Sequence, residues 1–208
     1  MLYNLLYPFH EAFSFLNIFR YITFRTIYAT LTALIVTLLI GKKVTRLLAR
    51  YQIGQQIRED GPESHASKAG TPTMGGIIVL GSILISTLLW ADVTNLYISL
   101  VLFATVAFGA IGFWDDFLKC VRKNSMGLAP RLKFSLQIAA ATIVAIGITL
   151  SDAYSSQLSV PFFKNMTPDL GLFYIVFAIL VIVGSSNAVN LTDGLDGLAI
   201  GPVIVAAV

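Results

Sequence analysis

Apolar residues run along this chain in long blocks, and polar residues gather between them. The blocks cover roughly 22–41, 74–90, 96–114, 132–150 and 171–187. A helix rises about 1.5 Å per residue, so roughly 20 apolar residues cross the ~30 Å hydrocarbon layer of a membrane. Each block therefore predicts a spanning helix. A sixth block opens near Leu198 and reaches only Val208, which is too short to cross. The expected fold class is all-α, a polytopic transmembrane helix bundle with five full spans and a truncated sixth. Residues 1–208 are expected to form a single integral membrane domain, incomplete at its C-terminus.

Composition strengthens this reading: 56% of residues are hydrophobic and 12% charged, about half the charge of an ordinary soluble domain. The net charge of +3 matters less than its placement. Lys42, Lys43, Arg46, Arg50, Arg58, Lys68, Lys119, Arg122, Lys123, Arg131 and Lys133 lie in two alternate connections, whereas the opposite side has only Arg20, Arg25 and Lys164. The positive-inside rule puts the basic connections in the cytoplasm and the N-terminus outside. Residues 1–20 lack a basic start and a small-residue cleavage site, so they do not read as a cleaved signal; their phenylalanines suit the membrane interface. Residues 151–170 become an outer loop. The single cysteine, Cys120, excludes an internal disulfide framework and a cysteine-rich zinc site.

Polar residues next to such apolar blocks are costly and mark candidate chemistry. Asp115 and Asp116 close the third block, in Gly112-Phe-Trp-Asp-Asp116. Helical neighbours point about 100° apart, so the two acids need not share one task. Standing alone, the pair reads more readily as a polar cap beside Lys119 and Arg122; the other motifs reverse that. Asn187, Asn190, Asp193 and Asp196 recur every three residues after the fifth block, a spacing that makes a polar stripe on a helix. Gly194 and Gly197 loosen that helix and would free backbone N–H groups for an anion or a base. Ser67-Lys68-Ala-Gly-Thr-Pro-Thr73-Met-Gly-Gly76 offers a lysine, hydroxyls and close backbone approach to phosphate, although any Gly/Pro loop entering a helix has this composition. His65 lies on the same connection as a further candidate contact, while His10 falls on the outer side. With the basic connections inside, all three motifs fall on the cytoplasmic side. There is no Walker A loop, dinucleotide fingerprint, zinc-protease motif or nucleophile elbow, and no feature asks for nucleic acid.

Taken together, Asp60-Gly-Pro-Glu-Ser-His65, Lys68-Ala-Gly-Thr-Pro-Thr-Met-Gly-Gly76, Gly112-Phe-Trp-Asp-Asp116 and Asn187-Ala-Val-Asn-Leu-Thr-Asp-Gly-Leu-Asp-Gly-Leu-Ala199 closely resemble the bacterial phospho-N-acetylmuramoyl-pentapeptide transferases. The resemblance covers essentially the whole chain. It implies the N-terminal part of a ten-span fold in the bacterial inner membrane. It also implies a magnesium-dependent transfer of phospho-MurNAc-pentapeptide from UDP-MurNAc-pentapeptide to undecaprenyl phosphate, giving lipid I and UMP. On this resemblance Asp115, Asp116 and Asp193 are catalytic and hold Mg2+. Lys68, Thr73, His65, Asn187, Asn190, Gly194, Leu195 and Asp196 contact substrate. A homodimer is among the implied assemblies. Asp115 or Asp116 could deprotonate the lipid phosphate, or a covalent aspartyl route could operate; both stay open. The family's later loops carry another aspartate and a histidine-rich motif absent from these residues, so this chain alone is expected to be inactive. The nearest alternative is a related transferase moving GlcNAc-1-phosphate onto the same lipid. A transporter is the alternative from another class, but transporters place acids near the bilayer midplane, often in repeats, and no repeat is evident here.

Overall fold

The computed structural model describes residues 1–50, 74–122, 127–160, 162–163, 165–192 and 198–207. Among these residues the fold is helical, and pairing of extended backbone is limited to one isolated bridge, Gln157 with Asp169. The chain divides into two compact units, Met1–Lys133 and Phe134–Val208.

The first unit opens with a short helix α1 (Leu2–Leu6) and two 3-10 segments, Tyr7–Glu11 and Ser14–Arg20. Long helices follow: α2 (Ile22–Arg50), α3 (Gly76–Trp90) and α4 (Leu96–Arg122). The unit closes on the first turn of α5 (Pro130–Thr149). Two helices outrun their apolar blocks. α2 passes through Gly41 and carries Lys42, Lys43 and Arg46 on its final turns, where basic side chains favour the negative end of the helix dipole. α4 continues about two turns beyond residue 114. The aspartate pair therefore lies inside a helix, with Lys119 one turn below both acids. By contrast α3 has 15 residues, about 22 Å of helix, short of a full hydrocarbon crossing. It starts just after Met74, whose φ of 68° turns the chain. Among the described residues four helices, Ile22–Leu48, Leu96–Cys120, Pro130–Thr149 and Phe173–Thr192, are long and apolar enough to span.

Apolar side chains cover the outside of these helices. Leu38, Leu39, Val101 and Leu180 are each more than 60% exposed, as expected where the solvent is lipid. Contacts between helices use small and polar residues instead, the usual pattern when burial of apolar surface drives little. Thr37 Oγ1 donates to Ser82 Oγ at 2.8 Å, and Trp90 Nε1 to Thr32 Oγ1 at 2.9 Å, joining α2 to α3. Gly109 on α4 lies directly against Leu80 of α3; a Cβ there would come within 2.7 Å of Leu80 Cδ2.

At the end of α3 away from the acid pair, Trp90 packs with Phe19, Phe24 and Tyr28, an aromatic cluster of the kind found at membrane interfaces. The N-terminal segment is tied down here. The Met1 ammonium donates to Ala91 O at 3.0 Å and Asn4 Nδ2 to Asp92 Oδ1 at 3.2 Å. The Thr94 hydroxyl, helped by Asn4, outweighs partial burial and holds the Asp92 carboxyl below its ordinary range.

The second unit contains the rest of α5, a loop, α6 (Phe173–Thr192) and α7 (Ile200–Ala207). In the loop, Leu158 N donates to Pro168 O at 3.0 Å and Leu170 N to Ser156 O at 3.0 Å, folding it back on itself. Phe162 and Phe163 stand exposed at its tip.

Candidate active site

Asp115 and Asp116 are neighbours in sequence but sit in different surroundings. Asp115 is buried, its residue 7% exposed. Its Oδ1 accepts from the Leu128 backbone N–H at 2.8 Å. Its Oδ2 accepts from Lys119 Nζ at 2.9 Å and Lys133 Nζ at 3.2 Å. The Asp116 side chain is 39% exposed, and its Oδ1 accepts from Lys119 at 3.1 Å. Helix geometry explains Lys119: positions i+3 and i+4 lie under the two acids. Lys133 arrives from the first turn of α5, 18 residues on from Asp115. Two carboxylates and two ammonium groups thus form a charge-balanced cluster, which offsets the desolvation a lone buried charge would suffer.

Gly127 makes the close approach possible. Its φ of +56° is left-handed, and a Cβ there would run into Asp115 Oδ1 and come within 2.8 Å of Lys119 Cε. Only glycine combines this φ with an absent side chain at little cost.

Beside the cluster, a groove of about 690 Å³ runs between α3 and α4. Ile77, Leu80, Ile83, Val106 and Phe113 line it, and among the described residues Asp116 is the only charged one in the lining. The groove therefore joins an apolar channel, on the helix faces, to a carboxylate.

In the second unit the expected polar stripe is partly engaged in packing. Asn187 Nδ2 donates to Gln137 Oε1 of α5 at 2.9 Å and to Val183 O at 2.8 Å. Gln137 is buried at 4% exposure, so this pair is a polar clasp between α5 and α6. Asn190, one turn further along α6, is exposed. Gln137→Leu should leave the Asn187 amide short of a partner and cost about 1 kcal/mol. The check is a lower unfolding midpoint in detergent for Gln137→Leu, with Gln137→Glu retaining an acceptor as the control; an unchanged midpoint for the leucine variant would contradict the clasp.

His65, Lys68, Thr73, Asp193, Gly194, Leu195 and Asp196 lie outside the described residues. Among the described residues no three His, Cys, Asp or Glu side chains gather as a metal site. The donor set still bears on magnesium, which takes carboxylate, phosphate and water oxygens. Three donors occupy Asp115. Asp116 accepts only from Lys119 among the described residues and fits as one oxygen ligand. Sequence reading did not assign site roles to Lys119, Lys133, Gly127, Leu128 or Gln137. Helical spacing could have found Lys119, whereas Lys133 and Leu128 come back to α4 from later in the chain.

Residues 98–208 match the model of glycosyl transferase family 4. An acid pair on an apolar helix, in a chain carrying this match, defines the class: the chain belongs to glycosyl transferase family 4. Within that class it is similar to phospho-N-acetylmuramoyl-pentapeptide transferases. Residues 68–80 match their first signature. The whole chain aligns at 58% identity with the transferase of Desulforapulum autotrophicum and at 55% with that of Desulfosudis oleivorans. Over 207 residues it is 56% identical to the transferase of Pelobacter propionicus. In each case it spans 58% of the relative's length.

Proposed function

We propose that this chain supplies the acidic cytoplasmic site of an enzyme that transfers phospho-MurNAc-pentapeptide from UDP-MurNAc-pentapeptide to undecaprenyl phosphate. The products are lipid I and UMP. The observation that carries this reading is Asp116, a partly open carboxylate held by Lys119 at the end of an apolar groove, in a chain similar throughout its length to enzymes of that name.

The chemistry suits such a place. An oxygen of the lipid phosphate forms a bond to the β-phosphorus of the sugar nucleotide. The bond from that phosphorus to the bridging oxygen breaks, and its electron pair leaves with UMP. Both reactants are anions, so catalysis is mainly positioning and charge stabilisation. Lys119 can neutralise phosphate charge while its partners hold it in place. Asp116 can take a proton from the lipid phosphate or act as an oxygen ligand. When bound, Mg2+ would neutralise the diphosphate; Asp116 fits as one oxygen ligand, and the family resemblance assigns Asp115 and Asp193 to the ion as well. Lys68, Thr73, His65, Asn190, Gly194, Leu195 and Asp196 are assigned to the nucleotide side, and Asn187 supports them through its clasp to Gln137. The distribution of basic residues supports a site at the cytoplasmic face of the inner membrane, with the N-terminus periplasmic. A homodimer is carried over from the resemblance.

The experiment supplies a complete polypeptide containing these residues with undecaprenyl phosphate, Mg2+ and either UDP-MurNAc-pentapeptide or UDP-GlcNAc. UMP should be released with the first donor only. Release with UDP-GlcNAc alone would move the assignment to the GlcNAc-1-phosphate transferases; release with neither would remove it.

A further inference from the structure

The loop between α5 and α6 is an amphipathic arm whose apolar tip the rest of its unit leaves uncovered. We propose that this arm lies flat on the bilayer and inserts Phe162 and Phe163 among the lipids of the leaflet at the loop end of α5 and α6. The attachment stands apart from the reaction assigned above, since none of its residues belongs to that site.

The register of the arm comes first. Leu158 N donates to Pro168 O, Val160 N to Met166 O and Leu170 N to Ser156 O, and Gln157 bridges Asp169 in antiparallel sense. Residues 156–160 therefore run back against 166–170, an arm of roughly 15 Å. Successive side chains of extended backbone point to opposite faces. Leu158, Val160, Met166, Pro168 and Leu170 share one face, and Gln157, Ser159, Thr167 and Asp169 the other. Exposure follows the same alternation: Gln157 and Ser159 are exposed, Leu158 and Val160 half-buried. One apolar and one polar face is the pattern of an element lying at a membrane surface.

The base of the arm is fixed at that surface. Ser156 Oγ and Gly171 N both donate to Asp169 Oδ1, and Tyr154 packs edge-on against Tyr174 of α6, ring centroids 5.3 Å apart. Leu150, Leu172 and Phe173, at the adjoining helix ends, are each at least 75% exposed. Lipid covers the apolar sides of these spanning helices, so the lipid boundary reaches the point where the arm leaves them. The tip continues that apolar surface: Phe162 is fully exposed, and Phe163 and Met166 are more than half exposed. Phe162 also takes a φ of 69°, which bulky residues seldom adopt. Its ring has no packing within the protein to offset the strain, whereas burial in lipid would stabilise it.

Spin labelling of the complete polypeptide containing these residues reads the depth of each position. Cys120 and any other cysteine are replaced by serine, and the protein is placed in phosphatidylethanolamine–phosphatidylglycerol vesicles. Nitroxides attached through Phe162→Cys, Met166→Cys or Gln157→Cys are relaxed either by oxygen, which concentrates in lipid, or by a water-soluble nickel chelate. The Phe162 and Met166 positions should respond to oxygen and lie about 5–10 Å into the headgroup and acyl boundary. The Gln157 position should respond to nickel. Phe162→Ser with Phe163→Ser should shift the Met166 label from oxygen to nickel, and this arm decides if Phe162→Cys does not fold. Nickel contact at Phe162 equal to that at Gln157 would overturn the proposal, as would shielding from both reagents, which marks burial against protein. So would a Met166 label that stays in lipid without the two phenylalanines. The lipid response should persist as protein is diluted in the vesicles; its loss on dilution would make a second copy the occupant and sink the idea.

Discussion

The 208-residue chain, purified by itself in detergent with UDP-MurNAc-pentapeptide, undecaprenyl phosphate and Mg2+, is expected to release no UMP above background. It spans 58% of the length of its relatives. The resemblance places a further aspartate and a histidine-rich motif in the portion it does not cover. Phosphoryl transfer between two anions gains its rate from groups held around both phosphates at once. Groups that act as a unit are strongly non-additive, so losing several costs about as much as losing the most important one, commonly 10³-fold or more. Asp115, Asp116, Lys119 and Lys133 balance one another's charge, and two of the four are anionic; a few cations alone do not organise two phosphates. Fusing residues 1–208 to the remaining 42% of the Desulforapulum autotrophicum relative, the share left by its 58% coverage, should restore release. Turnover by the short chain would show that the acid cluster and the Asn187–Asp196 stretch suffice.

Asp116→Asn in the complete enzyme is the second large effect. Asparagine keeps the size and still accepts from Lys119, but it removes the charge and the basic oxygen. The expected loss in kcat is about 10²–10³-fold, the usual range for a group that stabilises charge at the reacting centre. UMP release at saturating substrates measures it. Asp152→Asn, on an exposed residue of the loop after α5, is the control and should leave the rate unchanged. A rate within a few-fold of wild type for Asp116→Asn would transfer the role to another carboxylate, with Asp193 the next candidate.

Among the described residues each long helix coincides with an apolar block, because lipid imposes one requirement on all of them: uninterrupted internal hydrogen bonding behind an apolar surface. Their ends were harder to read. Composition placed the close of the third block at Trp114, yet α4 runs on to Arg122. Lys119 at i+3 and i+4 compensates the two acids and makes further turns favourable. The α2 boundary moved too: the helix runs past Gly41 through Lys42, Lys43 and Arg46. α3 went the other way, since the left-handed Met74 delays its start and leaves 15 residues.

Residue types and spacing alone determined that this chain is a helical membrane protein with acids beside its apolar spans, and the motif strings marked its family. Those are local properties: hydropathy, helical repeat and the order of a few residues. Only the tertiary structure separated Asp115 from Asp116, because the difference lies in what returns to each from elsewhere. Lys133 and the Leu128 N–H reach Asp115 beside Gly127, whose bare backbone leaves room for them, while the α3 face leaves Asp116 on an open groove. Partners separated by a turn cannot be read from a helical period, and the surroundings of a carboxylate set what it can do.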